Sequence, residues 1–157
     1  MINFSILQNE TIYIIAGIGG FAILILICII VGRRFGSAKR ACDIDMMEGV
    51  EFEKFCADLL KKRGFTEVEI TKASGDFGVD ILAEKEGVTY AIQCKRYTET
   101  VGVKAVQEAC AGREYYDRMV GAVMTNQYFT EPAVKAAKKL KILLWDRGYI
   151  DEMMEEE

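Results

Sequence analysis

The stretch Gly78-Val79-Asp80-Ile81-Leu82-Ala83-Glu84-Lys85-Glu86-Gly87-Val88-Thr89-Tyr90-Ala91-Ile92-Gln93-Cys94-Lys95 decides how this chain is to be read. Val79 to Ala83 is rich in branched apolar residues, Glu84 to Gly87 supplies turn chemistry, and Val88 to Tyr97 is a longer apolar-polar run. Together they predict a β-hairpin. Strand side chains alternate between faces, so Gln93 and Lys95 share one face and Tyr90, Ile92 and Cys94 the other, which reads as the core side. Asp80 opens the neighbouring strand. A carboxylate, an amide oxygen and an ammonium therefore converge on one edge of the expected sheet.

Working outward, Phe52, Phe55, Cys56, Leu59 and Leu60 recur at helical spacing, and Gly64 stops that helix after Lys61, Lys62 and Arg63. Val68 and Ile70 alternate with charged residues as a short strand, and Ser74 to Gly78 is a turn cluster. Val103 to Met119 reads as a helix and Val120 to Thr125 as a buried strand. Pro132 sits where a helix begins, Ile142 to Trp145 is a last strand, and an acidic tail follows. Three sequential strands predict an antiparallel meander. The later strand-helix-strand units predict parallel additions to the same sheet. The fold class is α/β, a mixed sheet flanked by helices.

Composition narrows the chemistry. Of 157 residues, 51% are apolar and 28% charged, with a formal net charge of −4, so disorder and a pure membrane bundle are both excluded. Histidine is absent. That removes Ser-His-Asp and Cys-His nucleophiles and His-ligated metals. The five cysteines form no CxxC pair and fit a reducing compartment. Catalysis must then use carboxylates, amides, Lys, Tyr, Cys or a metal on oxygen ligands. Asp80 and the Gln93 amide oxygen suit Mg²⁺ or Mn²⁺, with the Cys94 carbonyl as a third ligand. Lys95 would orient or deprotonate a water and neutralise phosphate charge. On spacing alone the pattern is weak and the plainer reading is favoured: an Asp after Gly as turn chemistry, a strand Lys as a solvated edge.

The N-terminal part reads differently. Ile12 to Val31 is 20 residues without a charge, about 30 Å of helix and the thickness of a bilayer core. Arg33, Arg34, Lys39 and Arg40 follow it, and no Lys or Arg precedes it. The positive-inside rule then places the N-terminus outside and the rest in the cytoplasm. The expected organisation is an extracytoplasmic 1–10, a transmembrane helix over 11–32 in the lipid bilayer, a juxtamembrane linker over 33–47, a domain over 48–150 and the acidic tail 151–157. Ala16 and Gly20 form a small-residue pair compatible with a homodimer.

The combination Gly49-Val50-Glu51-Phe52-Glu53, Arg63-Gly64-Phe65, Gly75-Asp76-Phe77-Gly78-Val79-Asp80 and Gln93-Cys94-Lys95-Arg96-Tyr97 resembles the Mrr-type restriction endonuclease domain of the PD-(D/E)xK nuclease superfamily. Val101-Gly102, Val123 to Asn126, Phe129-Thr130 and Leu144-Trp145-Asp146 extend the resemblance over about Glu48 to Ile150. It implies a restriction endonuclease-like αβββαβ core. It also implies that Asp80 binds metal, that Gln93 stands where most of the superfamily has Asp or Glu, and that Lys95 is the catalytic lysine. Glu53 matches a first-helix glutamate that completes the site, with Glu51 as second choice. DNA contacts would fall to Lys72, Arg96 and Lys104. The expected function is a membrane-anchored, Mg²⁺-dependent DNA endonuclease. The alternative is a non-catalytic DNA-binding or scaffold module on the same fold.

Overall fold

The computed structural model describes residues 23–25, 27, 28, 44–71 and 77–155. Residues 1–22, most of the expected linker, and Lys72 and Asp76 lie outside the described residues. Of the expected membrane segment only 23–25, 27 and 28 are described. They are helical and exposed. Among the described residues no helix is long and apolar enough to cross a membrane. The contacts divide the chain into two units, Met1–Arg40 and Ala41–Glu157, and the second carries the fold described below.

That unit runs α1 (Gly49–Lys62), β1 (Thr66–Ile70), β2 (Ile81–Lys85), β3 (Val88–Lys95), α2 (Val103–Tyr115), β4 (Val120–Thr125), α3 (Glu131–Leu140), β5 (Ile142–Trp145) and α4 (Arg147–Glu155). The strands form one sheet in the order β1-β2-β3-β4-β5. The first two pairings are antiparallel and the last two parallel, as a meander followed by two crossovers requires.

Local chemistry sets the helix boundaries. The Glu51 carboxylate accepts from the Glu48 backbone N–H at 2.9 Å at the start of α1, and Gly64, at φ +79°, ends it. Thr130 caps α3 by accepting from Ala133 N–H at 3.3 Å, with Pro132 in its first turn.

Both faces of the sheet are covered. Phe52, Cys56, Leu59 and Leu60 of α1 and Ile150 and Met153 of α4 pack on Ile81, Ala83, Ile92, Cys94, Ala122, Met124 and Trp145. On the opposite face Ala105, Val106 and Ala109 of α2 and Ala133 and Ala137 of α3 pack with Val123 and Ile142. Ala122, Val123 and Met124 alternate between the two cores, which is the period of a strand buried on both sides. The edge strand β1 is exposed and charged, and its register against β2 slips between Thr66 and Glu69.

Five boundaries differ from the sequence reading. Strand β2 begins at Ile81, and Val79 lies in the turn before it. Strand β3 stops at Lys95, because the Tyr97 N–H turns away to the Asn126 side chain at 2.9 Å. Helix α2 ends at Tyr115 rather than Met119, because the chain reverses through Asp117 at φ +49°. The acidic tail is helical as far as Glu155, with Met153 buried against the core. At the other end Ile44, placed in the linker by sequence, is 1% exposed and belongs to the core.

Candidate active site

The hairpin register pairs Ile81 with Ile92, and the Asp80 N–H continues the ladder to the Ile92 carbonyl at 2.9 Å. Asp80 thereby sits beside Gln93. Its Oδ2 accepts from the Cys94 backbone N–H at 2.6 Å and from the Gln93 side-chain amide. From the other side the Thr71 N–H donates to the Asp80 carbonyl at 2.9 Å and the Thr71 hydroxyl to Val79 O at 2.6 Å. The Asp80 backbone is held by two neighbouring segments, and its carboxylate by the Cys94 N–H and the Gln93 amide.

Gln93 is 3% exposed. The sequence reading left it on an open face, but α2 and α3 cover that face. Its Nε2 also donates to Cys94 O at 3.3 Å. Its Oε1 is buried and has no hydrogen-bond partner. A buried acceptor left unmatched costs about 1–3 kcal/mol. As it stands the amide nitrogen, not the oxygen, faces the Asp80 carboxylate and the Cys94 carbonyl; with the amide turned over, its oxygen would join them as the donor set a hard divalent cation takes. The residues present therefore fit a metal ion. They do so through an amide and a carbonyl: among the described residues no group of three or more Cys, Asp or Glu side chains is arranged to hold one.

Lys95 lies two residues on, on the same face. Its Nζ is 2.8 Å from Glu108 Oε2 of α2, with the lysine side chain 19% exposed. Burial pulls the Lys95 pKa down. The hydrogen bond and charge of Glu108, with Tyr97 and Asp80 adding, outweigh that and hold it above the ordinary lysine value. Lys95 is thus a fixed cation here, which favours charge neutralisation over water deprotonation among the two roles read from sequence. Glu108 had drawn no attention in the sequence, where it reads as one solvated helix residue.

Gly78 explains how α2 comes so close. It sits at φ +78°, and a Cβ there would lie 2.9 Å from Glu108 Cβ and 3.2 Å from its Cα and carbonyl oxygen. Only glycine permits both that turn and that approach. One turn along, a Cβ at Gly112 would meet Val79 Cγ2 at 2.2 Å. The glycines let the helix rest on the turn that presents Asp80.

Glu53 lies on α1, whose apolar face packs on the other side of the sheet, and it is half-buried. Its charge reaches Cys94. The hydrogen bond with Cys56, burial, and the charges of Cys56, Asp80 and Glu53 all push the Cys94 thiol well up. Cys94 is therefore a neutral, buried core residue and no nucleophile.

Of the cations expected to meet DNA, Arg96 is half-buried and donates to the Asp45 carbonyl at 2.6 Å. Lys104 is 87% exposed, 3.8 Å from Glu108 Oε1. Lys72 lies outside the described residues. Beyond Arg96 a second cluster closes the strand ends. Asp45 accepts from Asn126 Nδ2 at 2.8 Å and from Arg147 at 2.8 and 3.3 Å, while Arg147 also donates to Asn126 O at 2.9 Å. Asn126 in turn clasps the Tyr97 backbone through both N–H and C=O.

Comparison with known proteins agrees with this architecture. A family model described as restriction endonuclease (Mrr_cat) matches residues 44–154. No curated protein sequence matches. Among solved structures, a protein of unknown function, AF1548, superposes with a TM-score of 0.53 at 26% identity, over 62% of this chain and 57% of that one. The DNA modification-dependent restriction endonuclease AspBHI gives a TM-score of 0.55 at 16% identity, over 76% of this chain and 35% of its own. The MspJI restriction endonuclease in complex with a 27-mer oligonucleotide gives 0.54 at 16% identity, over 77% and 30%. The chain thus spans little more than half of the first of these and about a third of the other two.

Proposed function

The chain belongs to the Mrr_cat restriction endonuclease family, and from that premise we propose that it is a divalent-metal-dependent DNA endonuclease held at a membrane. The observation that carries the catalytic part is the Gln93 amide held against the Asp80 carboxylate with its own buried oxygen unpartnered, and the Lys95 cation on the same strand face.

Asp80, Gln93 Oε1 and the Cys94 carbonyl would hold Mg²⁺ or Mn²⁺. When bound, the ion would polarise a phosphoryl oxygen and make a coordinated water acidic. The chain's own residues do the rest. The Cys94 backbone N–H and the Gln93 amide fix the Asp80 carboxylate, so it needs little rearrangement to act. Lys95 supplies a positive charge to a phosphate developing negative charge, and it keeps its proton at Nζ because Glu108 and Asp80 stabilise the ammonium. Glu53, half-buried on α1, is the first-helix carboxylate that would complete the site. DNA as substrate is supported by the family and by the likeness of fold to two restriction endonucleases, one of them solved with an oligonucleotide. Lys104 and Arg96 would meet its phosphates.

The membrane part rests on the uncharged run Ile12 to Val31 and the four cations behind it. The exposed aliphatic side chains of Ile23, Leu24, Ile25 and Ile27 support it. The orientation proposed is N-terminus outside and nuclease domain in the cytoplasm.

The test uses the full-length chain recovered from the membrane fraction in mild detergent, with supercoiled plasmid, Mg²⁺ or Mn²⁺ and low salt. Methylated and unmethylated DNA are compared, since AspBHI is described as modification-dependent. We expect cleavage that chelation abolishes, and a loss of about 10²–10³-fold in Lys95→Ala and Asp80→Ala, the usual effect of removing one electrostatic stabiliser. DNA binding without cleavage would replace the endonuclease by a tethered DNA-binding module. A chain found wholly in the soluble fraction would remove the anchor.

A further inference from the structure

We propose that Glu108 is a positioning residue for the nuclease site, a carboxylate on α2 that holds the Lys95 ammonium where the scissile phosphate must arrive. The proposal rests on the endonuclease reading above and names a residue that neither the sequence motif nor the family match singles out.

Three observations carry it. The first is the contact itself, Glu108 Oε2 to Lys95 Nζ at 2.8 Å between side chains only 29% and 19% exposed. A partly buried ion pair of this geometry is screened far less than a surface pair. The second is how Glu108 is fixed. Its own Cα, Cβ and carbonyl oxygen form the wall that meets the missing side chain of Gly78, two residues before Asp80. The backbone of the anchoring carboxylate and the turn that presents Asp80 are therefore one packed unit. The third is the neighbourhood of the lysine. A Lys side chain has many rotamers on its flexible four-carbon stem, and aiming its ammonium requires a fixed partner. Among the described residues Glu108 is the group that forms a salt bridge with Lys95, and its second oxygen faces only the exposed Lys104 at 3.8 Å.

The arrangement makes a chain of supports. Helix α2 rests through Glu108 and Gly112 on the Gly78–Val79 turn, Glu108 projects from α2, and Lys95 is aimed by Glu108. Remove the carboxylate and the fold persists, because α2 is still packed through Ala105, Val106 and Ala109. The ammonium, however, samples other rotamers. Misplacement of a catalytic group by about 1 Å can cost 10²-fold in rate.

The experiment compares wild type, Glu108→Gln, Glu108→Asp, Lys95→Ala and the Lys95→Ala/Glu108→Gln double variant, all as full-length chains. Steady-state plasmid cleavage separates kcat from KM. In parallel, lysine acetylation by a soluble active ester is followed by mass spectrometry, with the exposed Lys138 as internal reference. The expected result is a kcat lowered about 10- to 100-fold in Glu108→Gln with KM for DNA unchanged, and partial recovery in Glu108→Asp. No further loss should appear when Glu108→Gln is added to Lys95→Ala, because the two act as one unit. Lys95 acetylation should rise severalfold in Glu108→Gln while Lys138 stays constant. Equal losses from Glu108→Gln with and without Lys95 would overturn the proposal, as would Lys95 labelling that ignores the change. A wild type that cuts nothing would refute the endonuclease reading, and the labelling would still decide whether Glu108 holds Lys95.

Discussion

Gly78→Ala should destabilise the domain much more than Gly64→Ala, although the two glycines share a backbone conformation. Gly64 is at φ +79° with nothing within 4 Å of an added Cβ, and Gly78 is at φ +78° with Glu108 Cβ at 2.9 Å and Glu108 Cα and O at 3.2 Å. Both variants incur the left-handed penalty, about 1 kcal/mol. Gly78→Ala adds overpacking against backbone, which cannot rotate away, at about 1–3 kcal/mol. The expected losses are about 1 kcal/mol for Gly64→Ala and about 2–4 kcal/mol for Gly78→Ala. Urea unfolding of both full-length variants, followed by Trp145 fluorescence, reads the difference as a shift in midpoint at constant slope. The relief of a 2.9 Å contact must move α2, and Glu108 moves with it. Cleavage by Gly78→Ala should therefore fall under conditions where it is still folded, and Gly64→Ala should cut normally. Equal midpoints for the two variants would refute the claim that α2 bears on the Gly78 turn.

Two further outcomes follow from other parts of the molecule. Burial raises the Asp45 pKa, but hydrogen bonds from Arg147 and Asn126 and the charges of Arg147 and Arg96 overcome it, leaving the pKa below its ordinary 3.8. A depressed carboxylate contributes stability that is present above pH 3.8 and is lost as pH falls through the folded-state value. Asp45→Asn should therefore flatten the acid limb of the stability profile in that window, as read by thermal melts against pH. Phe52 is wholly buried in the larger core, so Phe52→Ala should lose about 3–5 kcal/mol in denaturant unfolding.

Much of this was legible in the residues. The alternation around Ile92 to Lys95 put Gln93 and Lys95 on one face, and Asp80 followed from the hairpin. The helical spacing of Phe52 to Leu60 and the Gly64 stop were local signals that tertiary structure left intact. What escaped notice depends on distant partners. Glu108 is thirteen positions beyond Lys95 on another element, and its charge looks like any solvated helix residue. Asp45 and Arg147 are 102 positions apart, so nothing local marks either. The burial of Gln93 could not be read from an alternation that shows only one apolar face, because the small residues Ala105 and Ala109 of α2 that help cover the other give a weak periodic signal. The acidic end hid a readable pattern: Ile150, Met153 and Met154 repeat at helical spacing among the carboxylates.

The clasp between Asp45 and Arg147 also sets a timetable for synthesis. Asp45 is translated 102 residues before its guanidinium partner, an interval of roughly 5–20 s at ordinary elongation rates of about 5–20 residues per second. Arg63 waits similarly for the Met153 carbonyl, 90 residues on. A nascent chain can pair β1, β2 and β3 early, yet the strand ends beside Lys95 are not locked until the last helix has left the ribosome. A truncated product, released before Arg147, would carry Asp80, Gln93 and Lys95 without the closure that fixes Tyr97 and Asn126 behind them. Premature termination thus yields a loosened domain rather than a finished fold.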